Sequence, residues 1–315
     1  MSQTSASRFV LVVAHTGRTD AVAAAQVAIE QLHSAGITPV LTATDLEDLR
    51  THIANQVLTA DALQNVKVLD LDCKMSDLEL VVVLGGDGTI LKAAEIVRDQ
   101  SIPLMGINLG HVGFLAESER EEFTEAVHRV VERDYVIKER LTLDVAVIVD
   151  GKEVFRTWAL NEATVEKSAS ERMLEVVIEV EGHPLSSFGC DGIVMSTPTG
   201  STAYAFSAGG PVVWPSVDAL LVVPISAHAL FARPLVIKPN AMVAVEVLQR
   251  SSGDGVLWCD GRRSWKLPTG ARVEVTKSET PVKLARLRTS TFTDRLVKKF
   301  SLPVAGWRGP EDSAN

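Results

Sequence analysis

Residues 78–92 read LELVVVLGGDGTILK, and no other run constrains the fold as tightly. Leu80 to Leu84 is apolar and β-branched, the composition of a strand covered on both faces. Gly85-Gly86-Asp87-Gly88-Thr89 ends it abruptly, and TILKAAEIV then resumes apolar residues at helical spacing. Strand, glycine turn and helix in direct succession are how α/β proteins present backbone N–H groups to phosphate. The carboxylate inside the turn is the unusual part. An Asp among such amides repels phosphate unless it holds a metal ion or takes a proton from an attacking hydroxyl. The combination points to phosphoryl transfer.

The same texture surrounds this run. Arg8 to His15 (RFVLVVAH) reads as a strand, Asp20 to Ala35 as a helix with Asp20 placed as its N-cap, and ITPVLTA as a second strand. Asp45 to Ala60 reads as a short polar helical region, SIPLMGIN as a strand ending in a second glycine turn (Gly106 to Phe114), and Glu119 to Arg133 as a helix. Apolar strands separated by amphipathic helices imply a parallel sheet. After about Lys138 short strands dominate instead. LTLDVAVIV and KEVFRTWAL flank Asp150-Gly151, and GVLWC and RRSWKL flank Asp260-Gly261, both two-residue hairpin signals. MLEVVIEVEGHPL, DALLVVPISA, PLVIKP, MVAVEVLQ and ARVEVTKS continue the pattern, and a last helical period lies in TSTFTDRLVKKF. The expected organisation is an α/β domain over 1–138, a β-rich domain over 139–287, and a C-terminal helix and tail over 288–315, whose return to the first domain the sequence alone leaves open.

Composition excludes several classes. A formal charge of −9 argues against nucleic acid or an anionic membrane surface as the main partner. The longest apolar runs are far too short to span a bilayer, and MSQTSAS lacks the regions of a signal peptide. Cys73, Cys190 and Cys259 are odd in number and widely spaced, so no disulfide framework or metal pair is expected and a reducing cytoplasm is the natural home. The histidines are dispersed and no two form a recognisable ligand pair, so no structural zinc site is expected.

Three further segments carry chemistry. Lys92, one turn into the helix, either reaches a phosphate as a point charge or is a solvated helix lysine. Asp191 opens DGIVMSTPTGSTAYAFSAGG, where small hydroxyl residues crowd one Pro and one Gly and let a ligand approach the backbone closely. Asn161-Glu162 follows the apolar TWAL; an amide beside a carboxylate at a strand end can read ribose hydroxyls and a base edge, while an exposed Asn-Glu turn is the commoner explanation of such a pair.

Together GGDGT, the Asn161-Glu162 pair, NLGHVGFL and DGIVMSTPTGSTAYAFSAGGPVV resemble the NAD kinase family in order and separation, from about Arg8 to about Leu287. HTGR near the start resembles the actinobacterial branch. The TPTGSTAY segment is specific to that family, whereas GGDG is shared with lipid kinases and phosphofructokinases. The resemblance implies an α/β domain followed by a β-sandwich, with transfer of the ATP γ-phosphoryl group to the 2′-hydroxyl of the adenosine ribose of NAD. Mg²⁺ is expected to travel with the donor phosphates, without a dedicated protein metal site. By the same resemblance Asp87 is the general base, and Gly86 and Gly88 line the phosphate path. Asn161 and Glu162 contact the adenosine part of NAD, and Asp191, Thr202, Ala203, Tyr204 and Ser207 belong to the dinucleotide site. Lys92 and Arg172 match basic positions facing nucleotide, and a homodimer or homotetramer is implied. Inorganic polyphosphate as donor stays open, as do two other readings: a GGDG-type lipid or sugar-phosphate kinase, and a non-catalytic NAD or NADP sensor.

Overall fold

The computed structural model describes residues 7–55, 57–110, 113–116, 123–168, 173–287 and 291–304. They form two units, one built from the chain up to Glu139 and again from Lys283, the other from Arg140–Val282.

The first unit alternates strands and helices: β1 (Phe9–Ala14), α1 (Thr19–Ser34), β2 (Thr38–Leu41), α2 (Ala43–Ala54), β3 (Lys67–Val68), β4 (Leu78–Leu84), α3 (Asp87–Val97), β5 (Leu104–Ile107), α4 (Phe123–Glu132) and β6 (Val136–Arg140). Val10 to Val13 of β1 and Leu80 to Leu84 of β4 are fully buried, so these strands read as continuous apolar runs rather than alternating ones. Helix α1 buries Ala21, Val22, Ala25, Ala28, Ile29 and Leu32, a stripe at helical spacing. Its N-cap is Arg18 rather than Asp20. Asp20 lies in the first turn, where its carboxylate takes the Arg18 guanidinium at 2.7 Å and the helix dipole favours negative charge.

The second unit contains β7 (Leu143–Val149), β8 (Lys152–Ala159), β9 (Glu162–Lys167), β10 (Leu174–Val180), β11 (His183–Cys190), β12 (Gly192–Ser196), a single helical turn α5 (Tyr204–Ser207), β13 (Leu220–Ile225), β14 (Leu235–Ile237), β15 (Val243–Val247), β16 (Gly255–Cys259), β17 (Arg263–Leu267) and β18 (Arg272–Lys277). Two six-stranded sheets result, ordered β11-β10-β15-β18-β7-β8 and β14-β13-β12-β9-β16-β17. One core joins them: Val145, Val176, Val245 and Val273 from the first pack with Val165, Ile193 and Leu257 from the second. This is a β-sandwich.

Both expected hairpins form with positive φ at each turn residue, 51° and 72° at Asp150-Gly151 and 54° and 63° at Asp260-Gly261. That geometry matches the strand twist. A third hairpin, at Glu181-Gly182 (φ 54° and 76°), splits the stretch that sequence presents without an internal turn. Glu is a poor marker of left-handed backbone, and the β10–β11 ladder from Leu174↔Cys190 to Val180↔His183 holds it there.

The chain then returns to the first unit through β19 (Val282–Arg286) and α6 (Phe292–Phe300). The seven-stranded sheet runs β3-β2-β1-β4-β5-β19-β6, and β19 pairs with β5 in parallel. The stretch read from sequence as 139–287 therefore gives its last strand to the first sheet. A short apolar strand carries no local mark of which sheet it will join. Helix α6 opens with a Thr291/Asp294 capping box, and its Phe292 and Phe300 rings lie 5.8 and 5.9 Å from the Phe114 ring.

Candidate active site

In the first unit the glycine turn stands at the carboxyl edge of the sheet, where open α/β folds bind ligands. Gly85 has φ 154°, and a Cβ there would meet Thr89 Oγ1 at 2.5 Å, so the turn requires glycine. Gly86 caps α3 and accepts the N–H of Thr89 (2.9 Å) and Ile90 (3.2 Å) through its carbonyl. A Cβ at Gly86 or Gly88 would meet nothing within 4 Å, so the protein leaves room there for a ligand against bare backbone.

Asp87 begins α3 and is half-buried. Its carboxylate accepts the N–H of Phe114 at 3.1 Å and of Leu115 at 3.2 Å, which fixes its orientation. Gly113 makes this approach feasible, since a Cβ there would lie 2.4 Å from Asp87 Oδ1. The second glycine turn thus serves the first. His111 and Val112, within the NLGHVGFL match, lie outside the described residues.

Lys92 is already engaged: its Nζ donates to Asp45 Oδ1 at 2.6 Å, and the Asp45 side chain is almost wholly buried. Two cations unmarked by sequence reasoning, Arg286 and Arg295, lie within electrostatic reach of Asp87. Arg286 ends β19 in a buried position, and Arg295 is half-buried on α6. Burial pushes the Arg286 guanidinium down to about 9, the Arg295 charge pushes the same way, and Asp87 opposes both. Burial also lowers Arg295, against the pull of Asp294 and Asp87. One signal existed: Arg286 shares strand parity with Val282 and Leu284, both buried.

In the second unit Asn161 and Glu162 join β8 to β9, and both are buried. Their backbone is held from two sides. On one side the Asp260 carboxylate accepts the N–H of Leu160 (3.0 Å) and Asn161 (2.7 Å). Arg263 donates to the same carboxylate at 2.7 Å, with its guanidinium 4.6 Å from the centre of the Trp158 ring. On the other side the Asn161 carbonyl accepts the N–H of Thr197 (2.9 Å) and the Ser196 hydroxyl (3.0 Å), while Thr197 Oγ1 donates to the Leu160 carbonyl at 2.6 Å. Gly200 sits tightly against this point, for a Cβ there would meet the Asn161 carbonyl oxygen at 2.0 Å. Ser196 and Thr197 are therefore internal scaffolding for Leu160 and Asn161, while Ser201 holds the backbone of Val213. Asp260, visible in sequence only as half of a hairpin turn, is part of that scaffold.

Along β9, Glu162, Thr164 and Glu166 share one face while Ala163 and Val165 enter the core. Tyr204 flanks this stripe. Its backbone N–H donates to Glu162, and Glu166, Glu162 and Asp191 all raise its phenol after burial does. Thr202 and Ala203 are half-buried beside it, and Tyr204 and Ser207 are exposed. Asp191 lies at the opposite end of β12 from Ser196 and pairs with Lys167 at 2.7 Å, which holds its carboxyl low. Glu166, absent from the sequence expectations, shares this face with Glu162 and acts on the Tyr204 phenol. Arg172 lies outside the described residues.

Two buried acids make this face unusual. Burial pushes Glu162 up to about 8, and the Asp260 charge adds to the effect. Both effects favour the neutral carboxyl of Glu162, the form able to donate as well as accept. Burial also raises Asp260, opposed by the N–H groups of Leu160 and Asn161 and by Arg263.

Comparison with known proteins agrees with both halves. Residues 10–135 match the ATP-NAD kinase N-terminal domain, and residues 160–287 match the ATP-NAD kinase C-terminal domain. A NAD kinase of Leifsonia xyli subsp. xyli is 58% identical over 307 residues, covering 98% of this chain and 99% of the relative. The crystal structure of yeast NADH kinase complexed with NADH shares the fold, with TM-score 0.82 at 21% identity over 96% of this chain and 90% of that one. A NAD kinase from Archaeoglobus fulgidus, solved in complex with ATP, matches with TM-score 0.62 at 27% identity over 84% of this chain and 98% of that one.

Proposed function

Because the chain belongs to the NAD kinase family, phosphotransferases with an alcohol acceptor, we propose that it transfers the γ-phosphoryl group of ATP to the 2′-hydroxyl of the adenosine ribose of NAD. Asp87 is the general base of this reading. The observation that carries it is the Asp87 carboxylate, oriented by the Phe114 and Leu115 N–H groups in a turn whose Gly86 and Gly88 face open space.

A secondary alcohol is a poor nucleophile at neutral pH, so a carboxylate beside it assists as its proton leaves. The transition state is loose, and positioning with charge neutralisation supplies most of the catalysis. In this reading the amides around Gly86 and Gly88 line the phosphate path, with Lys92 on the second turn of α3 behind them. Asn161 and Glu162 read the adenosine part of NAD. Asp191, Thr202, Ala203, Tyr204 and Ser207 form the dinucleotide wall, with Arg172 assigned by resemblance alone. Among the described residues no three His, Cys, Asp or Glu side chains gather to hold a metal. Mg²⁺ travelling with the donor phosphates is what the resemblance implies, and Asp87, the carboxylate of the turn, would be the side chain available to it. Such an ion neutralises charge on the phosphates when bound.

Homo-oligomerisation follows from the family resemblance and is read by light scattering. No described helix is long and apolar enough to cross a membrane. The three buried free thiols support a reducing cytoplasm.

Replacing Asp87 by Asn tests the mechanism. NADP formation is expected to fall ~10²- to 10⁴-fold while NAD affinity and melting temperature hold. Near-normal turnover in that variant would remove Asp87 from the chemistry.

A further inference from the structure

Trp258 stands outside the sandwich core although both of its strand neighbours lie within it. Along β16, Leu257 and Cys259 are fully buried, whereas Trp258 between them is 39% exposed. Strand alternation therefore sets Trp258 on the opposite face of the sheet, the face that Glu162, Thr164 and Glu166 share on β9. Register makes them neighbours, for Trp258 pairs with Thr164, the residue between Glu162 and Glu166 on that face. Directly opposed side chains have Cβ atoms ~4.5–5.5 Å apart, and diagonal ones such as Glu162 and Trp258 stay within reach of an aromatic ring.

The surroundings leave this ring uncovered. Its partner on β17 is Ser264, too small to cover an indole. Helix α5 packs elsewhere on the same face, with Ala205 against Val194, Leu221 and Val223 of β12 and β13. In the sheet order that cover lies on one side of β9 and Trp258 on the other. Between them is Glu162, only 6% exposed, whose Oε2 is buried without a hydrogen-bond partner among the described residues. A buried polar atom left unpaired costs free energy that a bound ligand recovers by pairing with it. A planar ring with polar edges meets both demands, since its face stacks on the indole while its edge, or the ribose it carries, reaches Glu162.

We propose that Trp258 is a stacking platform for a ring of the dinucleotide, set beside Glu162 by the β9–β16 register. This assignment rests on the kinase reading above and adds a binding residue to its acceptor site. NAD carries two such rings, adenine and nicotinamide, so the experiment has an arm for each.

The full chain is compared with Trp258→Leu, which keeps apolar bulk and removes the ring, and with Trp258→Phe, which keeps a smaller ring. Calorimetry follows NAD binding without donor, with adenosine monophosphate and nicotinamide mononucleotide as competitors. Steady-state rates are measured with NAD varied at saturating ATP, and with ATP varied at saturating NAD. Trp258→Leu is expected to lose about 10- to 100-fold in NAD affinity and in kcat/KM for NAD, with KM for ATP within about twofold. Trp258→Phe recovers most of that loss, and the tryptophan fluorescence that NAD quenches in wild type is missing from it. The half of NAD whose competition weakens in Trp258→Leu is the half that stacks, and weakening of neither overturns the proposal. NAD affinity held within twofold in a folded Trp258→Leu overturns it, as does a Trp258→Phe variant that loses as much as Trp258→Leu. Equal losses for NAD and ATP do the same. A smaller assembly by light scattering alongside the lost affinity would make Trp258 an interface residue and overturn the platform. Where Trp258→Leu does not fold, unchanged NAD quenching in Trp258→Phe overturns it instead. Trp258-dependent NAD binding in a wild-type chain that forms no NADP would sink the kinase reading and leave this platform standing.

Discussion

The Asp260 carboxylate accepts the backbone N–H of Asn161 at 2.7 Å, across 99 residues of chain. The same group accepts the Leu160 N–H and an Arg263 guanidinium donor. A hairpin turn on β16–β17 thereby sets the backbone of the Asn161-Glu162 junction on the neighbouring strand. Asp260→Asn keeps the shape, turns one acceptor into a donor that faces N–H groups, and removes the ion pair. Hydrogen bonds to charged groups contribute ~1.5–3 kcal/mol each. The variant is expected to melt earlier and to bind NAD about 10- to 100-fold more weakly, with a much smaller change in kcat at saturating NAD. Calorimetry beside steady-state kinetics separates the two effects, and unchanged NAD affinity would confine Asp260 to stability.

Glu162 predicts a pH dependence. Its carboxyl is pushed from 4.5 to about 8 by burial first and Asp260 second. Between those values the folded chain keeps a proton that the unfolded chain has released. The contribution to stability is therefore complete below about pH 4.5 and is lost as pH rises through about 8. Melting temperatures of wild type are expected to decline more steeply from pH 5 to pH 8.5 than those of Glu162→Gln. Parallel profiles would show that the native carboxyl is ionised.

The Lys92–Asp45 pair predicts a strongly coupled double substitution. Asp45 is fully buried on α2, and Lys92 Nζ reaches it from α3. Lys92→Met strands a buried carboxylate, a change that costs ~3–5 kcal/mol when such a pair is broken from one side. Adding Asp45→Asn is expected to recover much of the loss. Denaturation midpoints of the four proteins give the coupling, and additive losses would show that the two side chains act independently.

Gly113→Ala addresses the support of Asp87. The added methyl would stand 2.4 Å from Asp87 Oδ1, so either the carboxylate or the Gly113–Ala116 segment must move. Displacement of a reacting group by about 1 Å can reduce rates ~10²-fold. NADP formation is expected to fall by about that factor with NAD affinity retained. Wild-type kinetics in this variant would show that the segment yields without disturbing Asp87.

Much of this was legible in the chain itself, for a local reason. Continuous apolar runs such as Leu80 to Leu84, the helical stripe of α1, and the Asp150-Gly151 and Asp260-Gly261 turns depend on neighbours within a few residues. So does the Asp87 turn, because its strand, glycines and helix are contiguous. These features determined a parallel α/β unit followed by antiparallel strands, and placed an acid at a helix start. Tertiary structure alone decided the company each group keeps. Strand register brought Arg286 to the edge beside the glycine turn, and helix packing gave Lys92 to Asp45. Sandwich pairing delivered Asp260 to Asn161 and the Ser/Thr segment to its carbonyl. Periodicity reports which face a residue turns inward. Which distant residue meets it there is set by ladder register and core packing, which no local pattern encodes.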